Sequence, residues 1–336
     1  MKRDEKRRSE QFLLAGDLGG TKTSLALFSL DSKRPIPHLI ETLSSKNASS
    51  FQEIIEVFLS RHPAKVMAAC FGVAGPVSKG HVKITNLPWA VSEDELKELF
   101  NWERVHLIND LAATALSVPV LQNHELAELN YGRPDPSGVI GVVAPGTGLG
   151  MALMLFINGK AYPIQSEGGH VDFAPKNSVE IAMLQDLIDS HVSVERLASG
   201  PGLFTIYSWL KDYRNYREPG WLHERLLTRD VSQVISEAAF VEKDPLCIES
   251  LDMFTSILGA TAGNLALTGM TTGGIYLAGG ICPKILPKLK ERHFMRAFTA
   301  KGRFMEFLSK IPVKVILNDK AALLGAACCA MRLMEK

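Results

Sequence analysis

The sequence predicts an α/β protein built in two halves, with a cleft between them. Three observations lead there. At 336 residues the chain suits about two domains of roughly 100–200 residues each. Strand-like and helix-like apolar runs alternate along most of its length. A strand, a glycine turn and a second strand occur twice, once at the opening of each half.

The first half begins with Leu13-Leu14-Ala15-Gly16-Asp17-Leu18, then Gly19-Gly20-Thr21, then a second apolar run from Leu25 to Leu30. This reads as a β-hairpin. Its glycines free the N–H groups of Gly19, Gly20 and Thr21 to converge on one spot, an anion-binding concavity. Asp17 sets a carboxylate beside that spot. A carboxylate next to a phosphate cradle calls for a cation between them, and Mg²⁺ is expected. The alternative is an ordinary hairpin whose glycines serve only the turn.

Pro37 to Thr42 can form a third strand. Ser50 to Leu59 carries Phe51, Ile54, Ile55 and Phe58 at helical spacing. Lys65 to Val73 is a buried strand, and Asn86 to Trp89 a loop. Ser92 caps a helix running through Phe100, with acidic residues in its first turn. Val105 to Ile108 is a short strand, followed by Asn109-Asp110 and a helix from Leu111. The polar, proline-flanked stretch Leu121 to Ser137 reads as a domain boundary. The expected division is a disordered tail at 1–11, a smaller domain at 12–120, a larger one at 121–318, and a C-terminal helix at 319–336 that packs back on the smaller domain.

The second half opens with a strand at Val139 to Ala144, a glycine turn at Pro145 to Gly150, and a strand at Met151 to Ile157. Asn158-Gly159 is a hairpin turn leading into the next strand from Lys160. Helices are expected around Val179 to Ser190, Gly202 to Leu210, Val231 to Ala239 and Pro245 to Met270. Ile275 to Ala278 is a buried strand ending at Gly279-Gly280. A helix from Pro283, a strand at Val313 to Leu317 and a helix at Lys320 to Met334 complete the order.

Several short stretches carry candidate chemistry at the carboxyl ends of strands, where ligands of α/β sheets collect. Gly146-Thr147-Gly148-Leu149-Gly150 repeats the logic of the first turn. Taken singly it is a hairpin with a bulge; taken with the first, it favours two cradles holding one polyphosphate. Asn109-Asp110 reads by itself as plain capping of the following helix by Asp110. Functionally, Asp110 is placed to accept the proton of an incoming hydroxyl, with Asn109 orienting that acceptor.

Ser166-Glu167-Gly168-Gly169-His170 lets a carboxylate and an imidazole converge on one small ligand, and both suit sugar hydroxyls. A lone histidine is more often structural, and His170 with Asp172 lacks the further ligand a metal needs. Glu195 lies in what reads as a helix fragment ending in a glycine-rich loop, Ser199 to Gly202. From that segment alone it is a surface acid. Gly279-Gly280 allow close approach of a base or ribose, or serve helix–strand packing.

Composition removes other classes. A formal net charge of +1 gives no basic field for nucleic acid. The five cysteines are odd in number and form no C-x-x-C, which fits buried thiols of a reducing, cytoplasmic compartment and disfavours zinc. Gly138 to Ile157 and Met253 to Pro283 are uncharged but interrupted by Pro, Gly, Thr or Asn, so they read as buried elements and not as membrane spans. The N-terminal tail has no apolar core and carries acids among its bases, so it reads as solvated and not as a targeting peptide.

Taken together, the motifs resemble the bacterial glucokinase family of the actin-like ATPase superfamily. GDLGGTKT opens the match, followed by FGVAGPV from Phe71, LPW at Leu87 and LINDLAATA from Leu107. APGTGLGMA from Ala144, SEGGHVDFAP from Ser166, VSVERLASGPG from Val192 and GGIYLAGGI from Gly273 follow in register. The resemblance spans Leu14 to Ala327. It implies two actin-like (ribonuclease H-like) domains around a cleft, and ATP-dependent phosphorylation of glucose at its 6-hydroxyl.

Carried over, Gly16, Asp17, Leu18, Gly19, Gly20 and Thr21 resemble the ATP phosphate loop, with Asp17 holding Mg²⁺ through water. Gly146 and Thr147 resemble a second phosphate loop, with Gly279 and Gly280 also at the nucleotide. Thr147 and Gly148 approach both ligands. Asp110 resembles the catalytic base, and Asn109, Glu167, His170 and Glu195 the sugar ligands. A homodimer is implied as well. The cysteine-rich zinc motif of the related ROK sugar kinases is absent, which speaks against that branch. Rival readings are a kinase for another hexose or an amino sugar, and a sugar-binding regulator without turnover.

Overall fold

The computed structural model describes residues 11–30, 34–84 and 87–335. The charged N-terminal tail, apart from Gln11, lies outside the described residues, as does Asn86 of the expected loop. Internal contacts divide the chain into one unit of residues up to 122 with 160–165 and 318–336, and a second of 123–159 and 166–317.

The first unit is built on a five-stranded sheet. Its strands are β1 (Gln11–Leu18), β2 (Lys22–Phe28), β3 (Pro37–Ser44), β4 (Lys65–Val73) and β7 (Val105–Asn109), in the order β3-β2-β1-β4-β7. β1 and β2 form the expected antiparallel hairpin, with Leu18 opposite Thr23. β1, β4 and β7 run parallel. Leu13, Leu14 and Ala15 of β1 are buried, as the unbroken apolar run of a strand covered on both faces requires. The helix Phe51–Arg61 turns Phe51, Ile54, Ile55 and Phe58 inward, onto Phe71 and Leu107. A small hairpin of β5 (His81–Lys83) and β6 (Ala90–Ser92), invisible in the sequence pattern, precedes the helix Glu93–Phe100. Ser92 caps that helix as expected.

The helices Asp110–Ser117 and Ala321–Leu333 pack closely in this unit. Gly325 makes that approach possible, since a Cβ there would run into the backbone carbonyl of Ala113. Arg332 donates to the carbonyl of Ala161 at 2.7 Å, in β11 (Lys160–Ser166).

In the second unit, β9 (Ile140–Pro145) and β10 (Leu149–Ile157) form the second antiparallel hairpin. β9 continues parallel into β12 (Gly274–Leu277), and β12 into β13 (Val313–Ile316). A hairpin followed by two parallel neighbours therefore occurs in both units. The segment read as a polar boundary also contains β8 (Leu126–Asn130), antiparallel to β13 at the sheet edge. As an edge strand it is only half-buried, so Leu-Ala-Glu-Leu-Asn lacks the apolar run of a central strand. Asn130 fastens it by donating to the carbonyls of Ser309 and Ile311 at 2.9 and 2.6 Å.

The helices Gly200–Tyr213 and Pro245–Gly269 cover this sheet around a core that includes Phe254, Leu258, Leu277 and Phe294. The uncharged window Met253 to Pro283 is thus one buried helix followed by a strand. No helix among the described residues is long and apolar enough to cross a membrane. The helices Gly220–Thr228, Arg292–Thr299 and Met305–Ser309 were not expected. The segment Ser199 to Gly202, read as the loop before the helix expected from Gly202, already forms the start of that helix. Ser199 caps it by accepting from the Gly202 N–H at 3.1 Å, and Glu195 stands before it in a single 3₁₀ turn.

Candidate active site

Strand register sets the candidate groups of the first unit in one row. Leu18 of β1 pairs with Val73 of β4, which pairs with Asn109 of β7. Two strand spacings, about 10 Å, separate the first hairpin from Asn109-Asp110. All three strands end at this edge of the sheet.

The hairpin turn differs in one respect from the sequence reading. The N–H of Gly19 is not available to a ligand, because it donates to the Lys22 carbonyl at 3.0 Å and closes the turn. The N–H groups of Gly20 and Thr21 have no such acceptor among the described residues. Asp17 lies one residue inside β1. Burial pushes its carboxyl above the ordinary carboxylate range, and the nearby Lys320 opposes that rise. Among the described residues nothing donates to this carboxylate, so a further positive charge would stabilise its ionised form.

The helix cap also differs. Asn109, not Asp110, is the capping residue: its Oδ1 accepts from the N–H groups of Leu111 and Ala112 at 3.0 and 3.2 Å. Its Nδ2 donates to the Gly75 carbonyl at 3.3 Å, tying the cap to the loop after β4. Asp110 is the first helical residue. Its Oδ1 accepts from the Leu111 N–H at 2.8 Å, which fixes how the carboxylate is presented.

The second unit gathers the remaining candidates. The turn Gly146–Gly148 closes through a Gly146 N–H donated to the Gly148 carbonyl at 2.8 Å. Glu195, read as a surface acid, is half-buried against this turn. Its Oε2 accepts from the Leu149 N–H at 2.8 Å. A Cβ on Gly148 would lie 2.5 Å from that oxygen, so the glycine makes the seat for the carboxylate. Gly169 has a matching role, since a Cβ there would enter the Leu149 carbonyl. This brings the 3₁₀ turn Gly168–His170 down on the start of β10. Val194 N–H donates to the Val171 carbonyl at 2.9 Å and joins that turn to the segment carrying Glu195. Thr147, Gly148, Glu167, His170 and Glu195 therefore share one neighbourhood. The Glu167 and His170 side chains stand 4.0 Å apart at Oε2 and Nε2 and are mostly exposed.

Gly279, which Gly280 follows, adjoins Pro145 at the start of the same turn. Gly279 holds φ +79°, and a Cβ there would lie 2.5 Å from the Pro145 carbonyl oxygen. Gly200 N–H donates to the Gly146 carbonyl at 2.8 Å. The Ser232 hydroxyl stands near the same glycine. Gly146, Gly200 and Ser232 thus meet, and the sequence pattern gave no signal for Ser232. Lys320 was missed as well, although the polar triplet Asn318-Asp319-Lys320 between strand and helix was a visible signal.

Among the described residues, Asp252, Glu291 and His293 come close enough to share a metal ion. The buried Lys288 ammonium lies 2.6 Å from Asp252 and 2.8 Å from Glu291, so the carboxylates of this cluster already have a cation as partner.

The profile of the family described as glucokinase matches residues 14–333. The chain belongs to the glucokinase family. A glucokinase of Nostoc punctiforme is 38% identical over 96% of this chain and 99% of its own. A glucokinase of Cronobacter sakazakii is 36% identical over 94% of this chain and 96% of its own. The crystal structure of a glucokinase from an Antarctic psychrotroph is similar at a TM-score of 0.84 and 30% identity, covering 96% and 99% of the two chains. A ROK family glucokinase from Streptomyces griseus shares the fold alone, at a TM-score of 0.64 and 19% identity over 96% and 99%. Membership of the glucokinase family brings the fold of two actin-like domains.

Proposed function

We propose that the chain phosphorylates D-glucose at its 6-hydroxyl with ATP, releasing ADP and glucose 6-phosphate for glycolysis. The observation that carries this reading is the row formed by the ends of β1, β4 and β7. It sets a backbone phosphate turn and a rigidly presented carboxylate, Asp110, about two strand spacings apart. Gly20 and Thr21 hold the phosphates and Gly19 shapes the turn, whereas Gly16, packed against Phe71 and Leu25, and the buried Leu18 support it from within the sheet and are not phosphate ligands. Gly146 and Thr147 form the second phosphate turn, with Gly279 and Gly280 against the base or ribose.

In the first unit Asn109 and Asp110 are the groups for the sugar, and in the second unit Thr147, Gly148, Glu167, His170 and Glu195 are. One Glu195 oxygen is committed to Leu149 and the other serves a sugar hydroxyl. As the 6-oxygen bonds to the γ-phosphorus, its proton passes to Asp110 and the bond to the β-phosphate oxygen breaks.

A half-buried Asp17 whose ionised form lacks donors suits a divalent ion held through water, and Mg²⁺ would supply charge neutralisation on the phosphates. Five buried free thiols support a cytoplasmic setting. A homodimer is expected, and sedimentation checks it.

A panel of sugars in a coupled ADP-release assay tests the substrate. Glucose should give the highest kcat/KM, and a higher value with another hexose or an amino sugar would reassign it. Glu167→Gln should raise the KM for glucose severalfold and leave that for ATP near its starting value. An unmoved glucose KM would remove this contact.

A further inference from the structure

Behind the first hairpin turn lies a hydrogen-bonded chain that the site residues above do not include. Ser45 and Thr23 are both fully buried. Ser45 Oγ donates to the Gly19 carbonyl at 2.8 Å. Its single proton is thereby used, so Thr23 Oγ1 is the donor in the 2.9 Å bond between the two hydroxyls. The Ser45 N–H donates to the Thr21 carbonyl at 3.0 Å. One residue, 22 positions beyond Thr23, thus holds the turn at two carbonyls.

Peptide geometry gives this clamp its consequence. The Gly19 carbonyl and the Gly20 N–H belong to one planar trans peptide and point in opposite directions. Fixing that carbonyl toward the buried Ser45 turns the Gly20 N–H the other way. Between two glycines no side chain opposes rotation of the peptide plane, so an unclamped turn samples both orientations. With Gly19 N–H already spent on Lys22, the Gly20 N–H is a principal donor left in the turn.

We infer that Ser45, braced by Thr23, is a positioning residue for the nucleotide: it fixes the Gly19–Gly20 peptide with its N–H presented to a phosphate. This role rests on the proposed nucleotide function of the hairpin. It predicts a selective effect. Loss of the clamp weakens the grip on the triphosphate and leaves the sugar residues untouched.

The test is steady-state kinetics on the full chain with Mg-ATP and glucose, below the unfolding temperature of every variant. Ser45→Ala should raise the KM for ATP about 3- to 10-fold, the loss of one oriented hydrogen bond, with the glucose KM unchanged. Thr23→Val should do the same to a smaller degree, and Thr23→Ser, which keeps the hydroxyl, should restore the starting value. The double variant should be no worse than Ser45→Ala, because both act through one carbonyl. Should Ser45→Ala fail to fold, the Thr23 pair decides alone. An ATP KM unchanged in Ser45→Ala or Thr23→Val, or ATP and glucose constants moving together, would overturn the clamp. An unsubstituted chain that releases no ADP with glucose would instead refute the kinase reading.

Discussion

Asp17 illustrates how a single side chain can cost stability and serve a ligand. Its folded-state carboxyl is raised by burial above the ordinary value of 3.8. Between those two values the unfolded chain has released the proton and the folded chain retains it. Stability therefore falls as pH rises through that interval and stays lower above it. Asp17→Asn should raise the melting temperature of the ligand-free protein at neutral pH, with the gain vanishing as pH drops below about 4. The same variant should bind Mg-ATP more weakly. Thermal melts across pH check the first effect, and an unchanged or lowered neutral-pH melting temperature would contradict it. Asn109 was legible in the sequence as a polar residue at a strand end, yet not as the cap. Asn and Asp are equally good capping residues, and only the observed hydrogen bonds assign the task to Asn109.

The two hairpins were readable because apolar runs and glycine turns are local signals. The Gly168–His170 turn is different, since its position depends on Gly169 meeting β10, a contact no local pattern contains. Gly169→Ala should lift this turn off Leu149 and displace Glu167 and His170. The expected result is a glucose KM raised about tenfold or more with the ATP KM little changed, read by the same coupled assay. Equal effects on both substrates would contradict the assignment. Gly325 governs the contact between the helix that opens with Asp110 and the C-terminal helix. Gly325→Ala should destabilise the chain by about 3 kcal/mol or more, because backbone meets the new methyl group. Denaturant unfolding measures this, and a change below about 1 kcal/mol would show that the helices part easily. Glu195 was misread for a related reason. The group that receives it, the Leu149 N–H, lies 46 residues away, so no local pattern announces it.

Duplication of the strand–turn–strand pattern made the α/β class legible, and each unit indeed carries a hairpin followed by two parallel strands. What remained hidden were the edge strand β8, which lacks an apolar run, and helices late in the second unit that are only five to eight residues long. Family membership and the ordered motifs agree on a sugar kinase, and the proposed chemistry turns on Asp110 as the base. The most direct test is ADP formation by purified chain and Mg-ATP, with and without glucose, in the unsubstituted protein and in Asp110→Ala. ADP release should depend strongly on glucose and fall at least ~10²-fold in the variant. Release that ignores glucose, or a variant that turns over near the original rate, would contradict the account.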